Sequence, residues 1–288
     1  MYKKAYGIVE TLAPLHVGAA AGEETGNLNL IFRDQFTQTG IIPGSSIRGR
    51  FRADMRQDQR QKGYDYQYWY GHDSIDGKPD GGTTEAIIKF EYASIVWLPV
   101  YCPNQPVVLV SCPTLLKRYQ RLTNKANHDF KPYTYDLGNI PNQRLFFNLG
   151  FLSLGDQDTE LRKYLPTGIN DQQRYPLVVV DDNDMAMIHD MALYRQSRVA
   201  LEDQQKKAKR GAFFNLEALP ERTILAFPLA MREVHHNGEP VEWKDYLEDT
   251  ALQNSRELYF GGLESIGCGR TQVTVNLVEQ KGKENGKE

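Results

Sequence analysis

Residues Tyr2 to Leu12 (YKKAYGIVETL) alternate between apolar and polar with β-branched members among them, a period-two pattern that predicts a strand ending near Leu12. Pro14 and Gly18 then open a loop, GAAAGEETGNLNLIFRDQFTQTG, rich in Gly, Thr and Asn. Pro43-Gly44 marks a turn, and behind it the period changes. Ile47, Phe51 and Met55 recur every four residues, which predicts a helix with a buried stripe and with Ser45 or Ser46 as its N-cap. Arg48, Arg52, Arg56 and Arg60 each follow one position later and form the adjacent stripe of the same helix.

Farther along, EAIIKFEYASIVWLPVY and PVVLVSCPTLLKRYQRL read as strand, hairpin-like return and helix. Residues 128–192 are the least regular part and read as an insertion, with PLVVVDDNDMAMIHDMALYRQ giving strand, turn and short helix. The stretch QQKKAKRGAFFNLEALPERTILAFPLAMREV gives a basic turn followed by strands. After a helix ending near Gln253–Arg256, ELYFGGLESIGCGRTQVTVNLVE reads as a glycine-rich loop feeding a last strand. Residues 279–288 form a polar tail of the kind that does not pack.

Composition narrows the class. The 288 residues suffice for one large domain with insertions, and 40% hydrophobic with 25% charged content is ordinary for a globular chain. No apolar run approaches a membrane span and the N-terminus lacks a signal-peptide core, so the expected location is the cytoplasm, with no membrane partner. Three cysteines without a CxxC pair read as free thiols, and six scattered histidines make no zinc site.

The net charge of −3 argues against non-specific nucleic-acid binding by the whole surface but not against a local basic site. From Arg48 to Lys62 six positive residues stand against two negative ones. A helix start offers unpaired N–H groups and a partial positive charge, to which the Ser45 and Ser46 hydroxyls add donors, and the arginines would extend that track along a phosphate backbone. The plainer reading is a solvated helix in which Asp54 and Asp58 pair with neighbouring arginines, worth roughly 0.2–0.5 kcal/mol per pair. On that reading Arg60 is merely exposed.

GGLESIGCGR places Gly261, Gly262, Gly267 and Gly269 within nine residues, with Arg270 at the exit, so that backbone amides can approach a bulky anion. The stretch lacks the GxxxxGK[ST] of a nucleotide-triphosphate loop. His16, at the end of the first strand, could meet a base or a phosphate, although a packed, hydrogen-bonded histidine is the commoner outcome.

Together, TLAPLHVG, IFRD and GIIPGSSIRGRFR, followed late by YFGGLESIGCGRTQVTV, resemble the RAMP superfamily of repeat-associated proteins of CRISPR systems. More narrowly, they are similar to the backbone subunits (Cmr- or Csm-type, Cas7-like) of type III effector complexes. KFEYASIVWLPVY with VVLVSCPTLLKRY, and SRVALEDQQKKAKRGAFFNLEALPERT with Glu217 and Pro220 in an E-x-x-P-like position, resemble the family's middle and later segments.

The resemblance implies an α+β fold, a ferredoxin-like palm that modifies the RNA-recognition fold, with inserted thumb and web segments. Residues 1–278 would form one domain with the insertion at 128–192. It also implies guide RNA, target RNA and other effector subunits as partners, in antiviral defence. Ser45, Ser46, Arg48, Arg52, His16, the four glycines and Arg270 would grip the guide, and binding would need no cofactor. In a thumb, Phe146, Phe147 and Phe151 are candidate wedge residues, with ordinary packing expected for at least two of them.

The sequence departs from the family at one place. Catalytic members carry an aspartate a few residues before the Arg33-Asp34 pair, where this chain has Asn29 or Asn27. A carboxylate can take the proton of an attacking 2′-hydroxyl or hold a divalent ion; a neutral amide cannot accept that proton and binds such an ion poorly. Asp34, Glu23 and Glu24 are the remaining nearby carboxylates, with Asp34 expected in a structural role beside Arg33. The implied subunit is therefore non-cleaving. The alternatives are a target-RNA endoribonuclease using Asp34 or a loop glutamate with Mg2+, and a guide-processing endoribonuclease using His16.

Overall fold

The computed structural model describes residues 2–19, 28–62, 66–72, 84–103, 105–136, 143–148, 150–166, 175–201, 207–235 and 238–278. Asn27, Glu23, Glu24 and the tail 279–288 lie outside the described residues.

In chain order the first elements are β1 (Tyr2–Thr11), β2 (Leu28–Asn29), β3 (Ile41–Ile42), α1 (Gly44–Lys62), α2 (Tyr66–Tyr70) and β4 (Ile88–Phe90). They are followed by β5 (Ala93–Cys102), β6 (Gln105–Ser111), α3 (Pro113–Thr123), β7 (Tyr135–Asp136), β8 (Arg144–Phe147) and β9 (Gly150–Ser153). The last are β10 (Leu177–Val179), α4 (Asp182–Ala192), β11 (Tyr194–Leu201), β12 (Ala208–Ala218), β13 (Ile224–Arg232), α5 (Trp243–Asp249), β14 (Arg256–Tyr259) and β15 (Arg270–Leu277).

Four strands run side by side in the order β15-β1-β13-β5, every neighbouring pair antiparallel. With α1 between β1 and β5, and α5 between β13 and β15, this is the βαββαβ arrangement of a ferredoxin-like palm. The expected α+β class is the one observed. Period-two alternation decides which side chain faces which way: Leu225, Phe227, Leu229 and Met231 of β13 join one core, while Ile224 and Ala226 join another. The first core takes Ile47, Phe51 and Met55 of α1, as the helical spacing predicts, with Trp243 and Tyr246 of α5. Phe51 alone meets the rings of Phe90, Phe227 and Phe260, and burying a side chain of that size is worth about 1.5–3 kcal/mol.

The second core lies on the opposite sheet face, where α3 packs across β1, β5 and β13 through Leu116 and Tyr119. In an RNA-recognition fold that face stacks bases. Here it is closed by protein, so any strand of RNA must lie elsewhere.

Everything between β5 and β13 is inserted between two palm strands. β6, β10 and β7 extend the sheet beyond β5, β10 running parallel to β6, while α4 packs against β5. Within 128–192, therefore, β7 and β10 belong to the main sheet, and β8 with β9 form a separate two-stranded pair. On that pair Phe147 is buried, whereas Phe146 and Phe151 are 40% and 75% exposed, so packing claims one phenylalanine of the three and not two. β11 and β12 form a long hairpin, to which β2 adds a short parallel strand.

The start of α1 also differs from the expectation. The helix begins at Gly44, and the N–H groups of Ser46 and Ile47 both donate to the Pro43 carbonyl, at 2.9 and 3.1 Å. Ser45 and Ser46 are thus exposed first-turn residues rather than the N-cap. Proline cannot donate, but its carbonyl accepts as well as any other.

Candidate nucleic-acid interface

The hairpin from Gly261 to Gly269 is folded back on the segment after β1. Gly261 has φ +79°, and a Cβ there would collide with the His16 carbonyl oxygen, which accepts a bond from the Gly262 N–H at 3.0 Å. Gly269 has φ +89°, and its N–H donates to the Pro14 carbonyl at 2.9 Å. Two of the four glycines thus serve close backbone packing. Gly262 and Gly267 have open space where a Cβ would be, and both are exposed. The hairpin is anchored on one edge and bare on the other.

His16 is 7% exposed, and its Nδ1 donates to the backbone carbonyl of Glu217 in β12 at 2.7 Å. The Glu217 side chain, 3% exposed, accepts from Arg33 and Arg195, each at 3.1 Å. Asp190 of α4 meets the same two arginines, at 3.0 and 2.9 Å. Burial works against ionisation of Asp190, but those arginines hold its carboxyl below the usual range. Next to it, the His189 Nε2 accepts the Gly40 N–H at 2.9 Å. Burial, then the nearby Arg33 charge, push the His189 ring down to about 3, so it stays neutral. These contacts tie the loop at 33–40, α4 and the β11–β12 hairpin into one block. Asn29 belongs to it too: it pairs in register with Leu216, beside Glu217.

Asp34 has a structural job. Its Oδ1 accepts from the N–H groups of Phe36 and Thr37, at 3.0 and 2.8 Å, and from the Thr37 hydroxyl at 3.0 Å. This is an Asx turn, built from the short acid side chain at its first position.

The arginine stripe divides. Arg48 donates to the Tyr70 carbonyl at the end of α2 at 2.5 Å, and Arg52 lies 5.6 Å above the Tyr66 ring. Both therefore engage α2, while Arg56 is exposed. The helix backbone carries Arg60, whose side chain lies outside the described residues. The side chain that joins α1 to the glycine hairpin is Arg50, which the four-residue spacing passes over. It stands 4.0 Å from Glu264 and 3.4 Å from Asp54, and Ser46, one turn earlier, shares its side of the helix. Asp54 also meets Arg256 of β14 at 2.6 Å, and Asp58 meets the same arginine at 3.5 Å. The sequence signal for Arg50 is its i,i+4 relation to Asp54, while its hairpin partner is distant in the chain.

Two further cations complete the rim. Arg198 of β11 donates to the Ile266 carbonyl at 3.1 Å, and Arg270 is exposed with Glu257 4.0 Å away. Arg50 and Arg198 thus border the hairpin at Glu264 and Ile266, beside its bare positions Gly262 and Gly267, while Arg270 stands on its exit strand near Glu257. Such a rim can hold an extended anion whose charges are spaced along a chain.

A family model described as the RAMP superfamily matches residues 8–272. Among solved structures, a chain of a type III-B Cmr-beta complex in its apo state is similar, with TM-score 0.69 and 19% identity over 95% of this chain and 97% of that one. A chain of type III-B Cmr-beta bound to cognate target RNA gives TM-score 0.73 and 18% identity, covering 94% and 96%. Oligomeric Cmr4 from Pyrococcus furiosus gives 0.68 and 15%, covering 97% and 100%. No curated protein matches by sequence. The chain belongs to the RAMP superfamily.

Proposed function

We propose that this chain is a guide-RNA-binding backbone subunit of a type III CRISPR effector ribonucleoprotein, and that it holds RNA without cutting it. The observation that carries the reading is the bare edge of the glycine hairpin, at Gly262 and Gly267, bordered by Arg50 and Arg198. There an RNA strand would lie with its phosphates toward the arginines, leaving its bases free to pair with a target. The likeness in fold to chains of type III-B complexes, one of them bound to cognate target RNA, supports guide RNA, target RNA and sibling subunits as partners. Among the described residues no helix is long and apolar enough to cross a membrane. The work belongs in the cytoplasm, and binding uses no cofactor.

Asn29 carries the non-cleaving half of the reading. A neutral amide stands in the neighbourhood where a base or metal-holding carboxylate is needed, and Asp34 is engaged in its own turn. The test assembles the complex with sibling subunits, guide, labelled target RNA and Mg2+, then maps cuts for wild type, Asn29→Asp and Asp34→Ala. The expected result is no cut opposite this subunit in wild type or in Asp34→Ala. A cut in wild type that Asp34→Ala abolishes would replace this reading with that of a target-RNA endoribonuclease. Release of guides from repeat RNA by the chain alone would replace it with that of a processing enzyme.

A further inference from the structure

We infer that the sheet face carrying α3 holds a second binding site, a cation-rimmed pocket at Ala230 that takes an acidic segment of a partner protein.

The strand register builds the pocket. Lys4 of β1 pairs with Ala230 of β13, and Ala230 pairs in turn with Lys89 of β4. Residues paired in register share a face, and Lys4 points as Tyr6 and Ile8 do, toward the α3 side. One row thus carries two lysines whose backbones stand two strand spacings, about 9.5 Å, apart with only a methyl group between them. In the next row Pro228 lies between Tyr6 and Glu91: Tyr6 pairs with it, and the Glu91 N–H donates to its carbonyl at 3.3 Å. α3 covers this face over Ile8 and Ala226 but ends at Thr123, so Pro228 and Ala230 stay partly exposed. They form the floor of a cavity of about 210 Å3, with Arg121 and Leu122 of α3 in its wall.

The charges select the occupant. Three cations, Lys4, Lys89 and Arg121, line the cavity against one acid, Glu91. Lys89 pairs with Glu85, and Glu91 stands 3.9 Å from Arg118. Lys4 and Arg121 make no ion pair among the described residues, so the pocket keeps two uncompensated positive charges in a molecule of net charge −3. Two features favour a peptide carboxylate over a nucleic acid. No aromatic residue lines the cavity, so bases have nothing to stack on. The cations also converge on one cavity with an aliphatic floor instead of following a track, and its volume lies below the roughly 300–1,000 Å3 of pockets for drug-sized ligands. One or two side chains fit. A Glu-x-Glu segment in extended form puts two carboxylates on one face about 6.7 Å apart, inside the span between the two lysines, with its methylene groups on Pro228 and Ala230.

The test incubates the full chain with the capped peptide AEAEA and a carbodiimide, which joins a carboxylate to a lysine amine held beside it, and maps the new amide links by mass spectrometry. AQAQA, which has no carboxylate, is the blank. Coupling is expected at Lys4 and Lys89 ahead of the exposed Lys117 and Lys244, which serve as internal controls. Arg121→Glu changes an exposed side chain that has no ion pair, so it should melt as wild type does and lower the yield at Lys4 about ten-fold. Arg121→Gln, which only removes the charge, should fall between the two. Even labelling of all lysines, or a yield in Arg121→Glu equal to that of wild type, overturns the inference. If single-stranded RNA abolishes the coupling at Lys4 and itself binds more weakly to Arg121→Glu, the pocket is a nucleic-acid site and the inference falls as well. None of these outcomes touches the glycine hairpin, whose RNA contact is tested at Arg50.

Discussion

Gly261 and His16 are packed backbone to backbone, so closely that a methyl group on Gly261 would strike the His16 carbonyl oxygen. The left-handed φ of +79° adds a second obstacle to any side chain there. Gly261→Ala is therefore expected to destabilise the fold by at least about 2 kcal/mol, read from denaturant midpoints. Gly262→Ala meets no neighbour and should stay within about 0.5 kcal/mol of wild type. It should still weaken RNA binding, because its methyl narrows the open edge. Equal stability of the two variants would contradict this division of roles.

Arg48 is expected to stabilise the fold more than the RNA complex. Its guanidinium caps the last carbonyl of α2, at Tyr70, so Arg48→Ala should lose roughly 1–3 kcal/mol of stability, the range for a hydrogen bond from a charged donor. RNA affinity of the folded fraction should change little. A normal melting temperature with lost RNA binding would place Arg48 at the interface after all.

Asp34→Ala removes three acceptor contacts from the turn at 34–37, and should cost about 1–2 kcal/mol. Asp34→Asn keeps an acceptor oxygen and should recover much of it. Thermal melts of the two variants check this.

Acid should weaken the block around His189. Its folded value, about 3, lies below the ordinary 6.5, so the unfolded chain binds the extra proton between those values. The stability contributed by the neutral ring is therefore complete above pH 6.5 and is lost as pH falls toward 3. The slope from this one residue reaches at most about 1.4 kcal/mol per pH unit. Asp190, held low by its arginines, acts in the same direction at the acid end of the window. His189→Gln offers the Gly40 N–H an acceptor without a proton to gain, so denaturation curves between pH 7 and pH 4 should be flatter for it than for wild type.

What could be read from the sequence is what depends on near neighbours in the chain. The alternation in β1, the Ile47, Phe51, Met55 stripe and the glycine cluster each declare a local geometry. Spacing also identified a side of α1, but not what that side meets: Arg48 and Arg52 face α2, and Arg50 faces the hairpin. The partners of His16 and Arg50 are Glu217 and Glu264, joined to them only when the segment after β1 meets β12 and α1 meets the connection between β14 and β15. Pairing of that kind leaves no period. The same holds for β10, which runs parallel to β6 across a long excursion and draws part of 128–192 into the main sheet. The second core under α3 was equally hidden, since the amphipathic pattern of Leu116 and Tyr119 does not say which sheet face they cover.

The account's central claim is that an RNA strand's phosphates lie between the start of α1 and the glycine hairpin. The most direct test is the salt dependence of single-stranded RNA binding by the full chain, for wild type and Arg50→Glu. If Arg50 neutralises a phosphate, the variant should bind more weakly at every salt concentration. The slope of log affinity against log salt should fall by about 0.7 for the lost single-strand contact. Identical affinity and slope for the two proteins would show that no RNA lies there, and the reading built on that junction would fall.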